Sequence, residues 1–382
     1  MNIPFYQTFT SEQSAENIKF LVDNPSRISE KKYTKLCQEY FENVYPDYKA
    51  LMVGSCTRAL DLIAIALDLE STDEVIMPSY NYVGVSNAFA NKAKIVFADV
   101  DPLTLNINVE SAEACLSEKS KVLVVMNYGG MSGDLEELKS FGKKHDLLLV
   151  EDNAQGLGAF FKDKRLGGFG DLSCISFDSL KNISCGEGGV VLYKPKFEER
   201  ILTVFHNGTN RLAFENKQVP AYEWVGLGSK FALSEYSASI LRPLLVNEME
   251  ITEERRERWQ FLFNSLNCIK ALSPYLPHAM NKAKHNAHIF YIIFDSKAQR
   301  DFVMNGLNKA GISCSFHYTP LHSSIYGVNQ NFEMNMDIYT TAKSDCLLRL
   351  PMFNDLSNEQ IIKISNTLQS IFESYKVNVL DV

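Results

Sequence analysis

Ser176–Phe177–Asp178–Ser179–Leu180–Lys181–Asn182–Ile183–Ser184–Cys185–Gly186–Glu187–Gly188–Gly189 decides how this chain is read. It lies between two apolar runs, Leu172 to Ile175 and Val190 to Tyr193, that read as buried strands. A lysine in a loop ordinarily faces water, because lysines are seldom buried. Three further stretches bear on this one. Leu147–Leu148–Leu149–Val150 reads as a strand that ends in Glu151–Asp152. Ser176 stands five positions before the lysine. Ser55–Cys56–Thr57 opens a predicted helix after Leu51–Met52–Val53.

Together these stretches supply an amine, a carboxylate, a hydroxyl and a helix N-terminus, the four contacts that pyridoxal phosphate requires. Lysine forms a Schiff base with the cofactor aldehyde and is then free to move protons. A carboxylate facing the pyridine nitrogen keeps it protonated, so that the ring accepts electrons from a carbanion. A dianionic phosphate is held by helix N-terminal amides and hydroxyls. Taken singly, Asp152 reads equally as a cap, Ser176 as a strand-end hydroxyl, Tyr82 as core, and His317 and His322 as ordinary histidines. The specific signal is the set, in this order along the chain.

At 382 residues the chain exceeds what one compact core usually holds, which predicts one large and one smaller domain. It is 46% hydrophobic and 22% charged, an ordinary globular composition. The net charge of −8, with no basic tract, argues against a nucleic-acid partner. Met1–Asn2–Ile3–Pro4–Phe5 lacks the pattern of a secretory signal. No apolar run approaches the roughly 18 residues of a membrane span. The eight cysteines show no CxxC pair or metal-ligand spacing. The expectation is a cytoplasmic protein with reduced cysteines, no metal and no membrane contact.

Strand and helix patterns alternate through the first half. Strands are predicted at Glu74 to Pro78, Ala93 to Val100 and Val122 to Met126, and helices at Lys35 to Phe41, Leu60 to Leu67, Val83 to Ala90 and Leu135 to His145. That rhythm predicts a mostly parallel sheet with helices on both faces and ligands at the strand C-terminal ends, where Asp152 and Tyr82 fall. Ser234 to about Leu266 reads as one long helix leading into a second domain. That domain is expected to hold a strand at His288 to Phe294, a helix at Ala298 to Lys309 and a strand at Ile312 to Phe316. No internal repeat is evident.

At Pro78–Ser79–Tyr80–Asn81–Tyr82, Glu151–Asp152–Asn153–Ala154–Gln155–Gly156, Ser176 through Lys181, and Gly186–Glu187–Gly188–Gly189, the chain resembles the DegT/DnrJ/EryC/StrS sugar aminotransferases. The resemblance runs nearly end to end. It looks closest to the branch that makes dTDP-4-amino-4,6-dideoxygalactose, through Gly208–Thr209–Asn210–Arg211, Asn286–Ala287–His288, Phe316 to His322 and Leu348–Arg349–Leu350–Pro351. It implies an α/β fold of the aspartate aminotransferase type (fold type I), with a large cofactor domain over 1–250 and a small C-terminal α/β domain over 251–382.

Carried over by position, the resemblance makes Lys181 the Schiff-base lysine and pairs Asp152 with the pyridine nitrogen. Gln155 would meet the ring's phenolic oxygen and Tyr82 would stack on the ring. Ser176 and the backbone after Cys56, with Thr57, would hold the phosphate. Arg211, His317, Tyr318 and His322 are the substrate candidates, and Arg211 and Arg349 would suit a diphosphate or the amino donor's carboxylate. The family works as a homodimer whose sites are completed by the partner, and Lys230 stands where relatives place an asparagine that reaches the partner's phosphate. Ala232, Asn127 and Ser29–Glu30–Lys31–Lys32–Tyr33 also depart from the usual residues.

The implied reaction is transamination of a dTDP-4-keto-6-deoxyhexose with L-glutamate, passing through pyridoxamine phosphate. The alternatives are the 4-amino-4,6-dideoxyglucose epimer, a 3-amino sugar nucleotide, or a cofactor-binding regulator. A sugar dehydratase is disfavoured because such relatives replace the lysine by histidine.

Overall fold

The computed structural model describes residues 2–277, 283–332 and 334–380, the side chains of 376–380 excepted. Among these residues twelve strands follow in chain order: β1 (Lys49–Val53), β2 (Glu74–Pro78), β3 (Lys94–Ala98), β4 (Ser120–Met126), β5 (Leu148–Asp152), β6 (Phe160–Phe161), β7 (Lys164–Arg165), β8 (Leu172–Ser176), β9 (Gly189–Tyr193), β10 (Ala283–Lys284), β11 (Phe290–Ile293) and β12 (Leu347–Leu350). Seven of them form the central sheet in the order β1-β9-β8-β5-β4-β2-β3. β3, β2, β4, β5 and β8 run parallel, and β9 runs against both β8 and β1.

Alternate residues of each strand feed opposite faces, and both faces are covered, as a mostly parallel sheet requires. Val75, Met77, Val122, Val124 and Val150 pack with the helices Cys56–Ala66 and Val83–Ala90. Ile76, Leu123, Val125 and Leu149 face the helix Leu135–Lys144 instead. At the β1 edge, Ala50, Met52, Ile175 and Val190 bury the helices Lys32–Val44 and Glu235–Val246. Three of these helices start on a side-chain cap: Ser55 accepts from Arg58 N, Asp134 from Glu137 N and Ser234 from Ser237 N.

A separate core gathers Leu262, Leu266, Phe290, Ile292, Val303, Leu307, Leu348, Leu350 and Phe372, together with Ile3 from the N-terminal segment. Its sheet is the antiparallel pair β11 and β12, in which Tyr291 lies opposite Arg349. A boundary at residue 250 falls in the first turn of the helix Glu248–Asn267.

The C-terminal half departs from expectation in three places. The long helix from Ser234 is two helices, Glu235–Val246 and Glu248–Asn267, broken at Asn247. The break turns Glu248 inward, where its carboxylate meets Arg165 at 2.9 Å and the Tyr40 hydroxyl at 2.6 Å. Ile312 to Phe316 is not a strand. It makes only single bridges, Ile312 with Ile3 and Ser315 with Arg349 of β12. The strand at His288 to Phe294 is confined to β11, since Asn286 and His288 turn their backbone and side chains to the site.

Candidate active site

The C-terminal ends of β1, β2, β4, β5 and β8 lie on one edge of the sheet, because these strands share one direction. A cavity of about 390 Å³ opens there. Its walls include Cys56 and Thr57 after β1, Tyr82 after β2, Asp152 at the end of β5 with Gln155 beyond it, and Ser176 at the end of β8 with Lys181 beyond it. His288, His317, Tyr318 and Arg349 close it from the C-terminal part of the chain. A surface groove of about 590 Å³ along Trp259 and His285 holds none of the predicted site residues.

Nine of the twelve residues expected at the site line this cavity: Cys56, Thr57, Tyr82, Asp152, Gln155, Ser176, Lys181, His317 and Tyr318. Three do not. His322 is gripped between Ser79 Oγ, 2.7 Å from its Nδ1, and Asp337, 3.3 Å from its Nε2. Arg211 is exposed and paired with Glu215 one helical turn on, at 2.7 Å. Lys230 is exposed, and its carbonyl accepts a hydrogen bond from Arg58 Nη1. Sequence reasoning left His288 out of the site, although the quoted Asn286–Ala287–His288 stretch was signal enough to raise it. Arg349, suited from the sequence to a diphosphate or a carboxylate, lines the wall.

The lysine turn is tightly specified. Lys181 N donates to Asp178 O at 2.9 Å and Leu180 N to Asp178 Oδ1 at 3.0 Å. Asn182 donates to the Asn286 carbonyl at 2.9 Å and faces His288 Nδ1 at 2.9 Å. Burial lowers the pKa of Lys181, against the opposing pull of Cys56, Asp152 and Asp178, and Arg349 lowers it further. Burial likewise raises Asp152, whose Oδ1 accepts from Ala154 N at 3.1 Å. His317 is held neutral, well below its ordinary value, by burial and by the charges of Arg349 and Lys181. Its two ring nitrogens face the Tyr128 hydroxyl at 3.1 Å and Arg349 Nη1 at 3.1 Å. Gln155 bridges Gly129 N at 2.7 Å and the Tyr318 hydroxyl at 2.9 Å.

These residues fit pyridoxal phosphate. The N-terminus of the helix Cys56–Ala66 opens on the cavity, and with Ser55 capping Arg58 N the amides of Cys56 and Thr57 are left to an anion. The strand behind this cradle can approach only because residue 189 is glycine: a Cβ there would lie 2.7 Å from the Cys56 nitrogen. Asp152 is a buried carboxylate with no arginine or lysine salt bridge among the described residues, suited to a pyridinium proton. Cys56, Asp152 and Cys174 bring their ligand-type atoms within 4.8 Å of one another, so two thiols flank that carboxylate. Tyr82, 54% exposed at the mouth, offers a ring face.

The sequence pattern of the DegT/DnrJ/EryC1/StrS aminotransferase family matches residues 11–369, and the chain belongs to that family. It is therefore an enzyme, a pyridoxal-phosphate-dependent aminotransferase. It is 29% identical over 345 residues to an uncharacterised protein of Methanocaldococcus jannaschii, covering 87% of this chain and 88% of that one. Among solved structures, the aminotransferase TlmJ of Streptoalloteichus hindustanus superposes with a TM-score of 0.87 at 23% identity, over 98% of this chain and 100% of that one. A sugar aminotransferase of Streptococcus pneumoniae in its pyridoxamine phosphate form gives 0.86 at 22% identity, over the whole of both chains. PseC of Helicobacter pylori, an aminotransferase of pseudaminic acid biosynthesis, gives 0.86 at 22% identity, over 98% of this chain and 100% of that one. The aspartate aminotransferase type of fold expected from the sequence is the one these neighbours share. No helix among the described residues is long and apolar enough to cross a membrane.

Proposed function

We propose that the enzyme transfers the amino group of L-glutamate to a nucleotide-linked 4-keto-6-deoxyhexose, dTDP-4-keto-6-deoxy-D-glucose. The product is dTDP-4-amino-4,6-dideoxygalactose, destined for cell-surface polysaccharide, and the enzyme works as a cytoplasmic homodimer. The observation that carries the reading is the convergence of Lys181, Asp152, Ser176 and the Cys56 helix start on one cavity. The named roles of the Streptococcus and Helicobacter relatives support a sugar as acceptor.

When bound, pyridoxal phosphate supplies an electron sink for the carbon that carries the amino group. Asp152 would keep the pyridine nitrogen protonated. Ser176, Thr57 and the amides at Cys56 and Thr57 would take the phosphate, Gln155 the phenolic oxygen, and Tyr82 the ring face. The Lys181 amine, biased toward its neutral form, takes the α-proton of glutamate and later delivers a proton to the sugar carbon that receives nitrogen. Arg349 presents a guanidinium at the wall, suited to the carboxylate of glutamate, and His317 and Tyr318 beside it face the sugar. Arg211 and Lys230 do not line this chain's own cavity; both are exposed and would serve a partner's site.

The test is incubation with glutamate and a panel of keto-sugar nucleotides, with 2-oxoglutarate release and product stereochemistry read by NMR. An axial 4-amino product is expected. Amination at another carbon, or on the other face, would replace the proposed substrate and product. Absence of 2-oxoglutarate with every sugar would remove the sugar acceptor.

A further inference from the structure

The N-terminal segment runs as an irregular strap from the C-terminal core to the lysine turn. At one end Ile3 is fully buried in that core, donating to Gly311 O at 2.8 Å and accepting from Ser313 N at 3.0 Å. Phe5 lies under the Arg349 guanidinium, 4.8 Å from its ring centroid. Tyr6 lies under Arg255, at 5.7 Å. Arg255 has no exposed surface and spends its donors on the carbonyls of Ala287 at 2.7 Å, His288 at 3.0 Å and Met352 at 2.7 Å, and on Asn354 at 3.1 Å. At the other end the Tyr6 hydroxyl donates to the Lys181 carbonyl, and the Thr8 hydroxyl donates to the Ser179 carbonyl at 2.9 Å.

The turn's own hydrogen bonds engage the amides of Leu180 and Lys181 and do not use these two carbonyls. The strap satisfies both. We propose that Tyr6 and Thr8 are positioning residues for Lys181, fixing the backbone of its turn so that the amine is held in the cavity, and tying that turn to the C-terminal core through Ile3. The proposal rests on the reading of Lys181 as the lysine that meets the cofactor. Its physical basis is that a lysine's long stem gives many rotamers, so the direction of the amine is set largely by where the Cα is held. A small misplacement of a reacting group lowers rate steeply.

The readout is the ionisation of the Lys181 amine in the full-length chain freed of cofactor. Cys56 on its helix, Asp152 at the end of β5 and Asp178 on the turn favour its charged form, while burial and Arg349 on β12 oppose it. His288 and His317 face it as neutral rings. Reductive methylation with formaldehyde and cyanoborohydride, followed at Lys181 by peptide mass spectrometry across pH, gives its titration midpoint. Tyr6→Phe keeps the ring beneath Arg255 and removes only the hydroxyl. Thr8→Val alters an exposed side chain and leaves folding intact. The double variant is expected to raise the midpoint toward that of exposed lysines, with each single variant between, because a loosened turn lets the amine reach water. In the loaded enzyme the glutamate half-reaction should slow roughly tenfold with little change in glutamate KM. A double variant that melts like the parent and shows the parent's Lys181 midpoint overturns the strap's role. Failure of the parent to take up pyridoxal phosphate would sink the cofactor reading alone, since the methylation profile is measured without cofactor.

Discussion

Lys181 and Asp152 feel the same burial in opposite senses. It drives the amine toward its neutral form and the carboxylate toward protonation, and the mutual attraction of their charges only partly offsets this. Lys181→Ala should therefore lose steady turnover by roughly 10²-fold to 10⁴-fold, the usual contribution of a positioned acid–base group, measured as 2-oxoglutarate release. Normal turnover in that variant would remove the lysine from the chemistry. Asp152→Asn should still bind cofactor but slow the half-reaction, because an amide does not hold a pyridinium proton by charge. Stopped-flow absorbance with glutamate checks this, and unchanged rates would release Asp152 from its role. Both residues were legible in the sequence because each ends a strand run or joins two. His288 and Arg349 were harder to assign, since His288 precedes β11 and Arg349 lies on β12, and both reach the cavity from a part of the chain remote from Lys181.

At the scale of elements, the phosphate cradle depends on how closely β9 passes the start of the helix Cys56–Ala66. A Cβ on Gly189 would lie 2.7 Å from both the Cys56 nitrogen and the Ser55 carbonyl carbon, which are backbone atoms with nowhere to move. Gly189→Ala should thus cost about 1–3 kcal/mol of stability, as overpacking does, and displace the amides offered to the phosphate. Thermal melts and cofactor retention on dialysis report the two effects. Retention equal to the parent's would show that the cradle does not rely on this approach. The Gly186–Glu187–Gly188–Gly189 motif was visible in the sequence. That its last glycine serves the helix start, and not the lysine turn, follows only from the antiparallel pairing of β1 with β9, which sets Val53 beside Gly189.

For the whole molecule, the segment around Lys230 exposes Tyr222, Trp224, Val225 and Leu227, with Trp224 78% exposed. An apolar patch of this kind is what the proposed dimer would cover. A dimer is expected in sedimentation, and Leu227→Asp should shift it toward monomer and loosen cofactor. Lys230→Ala should keep the dimer yet release cofactor faster on dialysis. A variant that holds cofactor as tightly as the parent would make Lys230 a surface residue only. Stability should also fall in acid through His285, half-buried beside Trp259. Burial and the nearby Arg256 lower His285 to about 4, so below the ordinary value of 6.5 the unfolded chain binds a proton that the folded chain refuses. Its share of the loss grows as pH falls from 6.5 to about 4, reaching about 2 kcal/mol near pH 5. His285→Gln should flatten the melting temperature between about pH 7 and about pH 5, and an unchanged slope would rule this histidine out.

The sequence by itself determined the alternation of strands and helices through the first half, the parallel sense of most of the sheet, and the lysine and aspartate at its C-terminal edge. These follow from local periodicity and from the rule that parallel strands end on one side. Only the tertiary structure decided which distant residues face that edge. It brought His317, Tyr318 and Arg349 to the cavity and left His322 clasped between Ser79 and Asp337. It broke the helix at Asn247, whose side-chain amide donates to the Pro243 carbonyl at 3.1 Å, and set Glu248 against Arg165 and Tyr40. The N-terminal strap was equally invisible, since its contacts with Lys181 and Ser179 span more than 170 residues of chain. Periodicity reports which face of an element is buried; the partner against that face is set by packing across the whole fold.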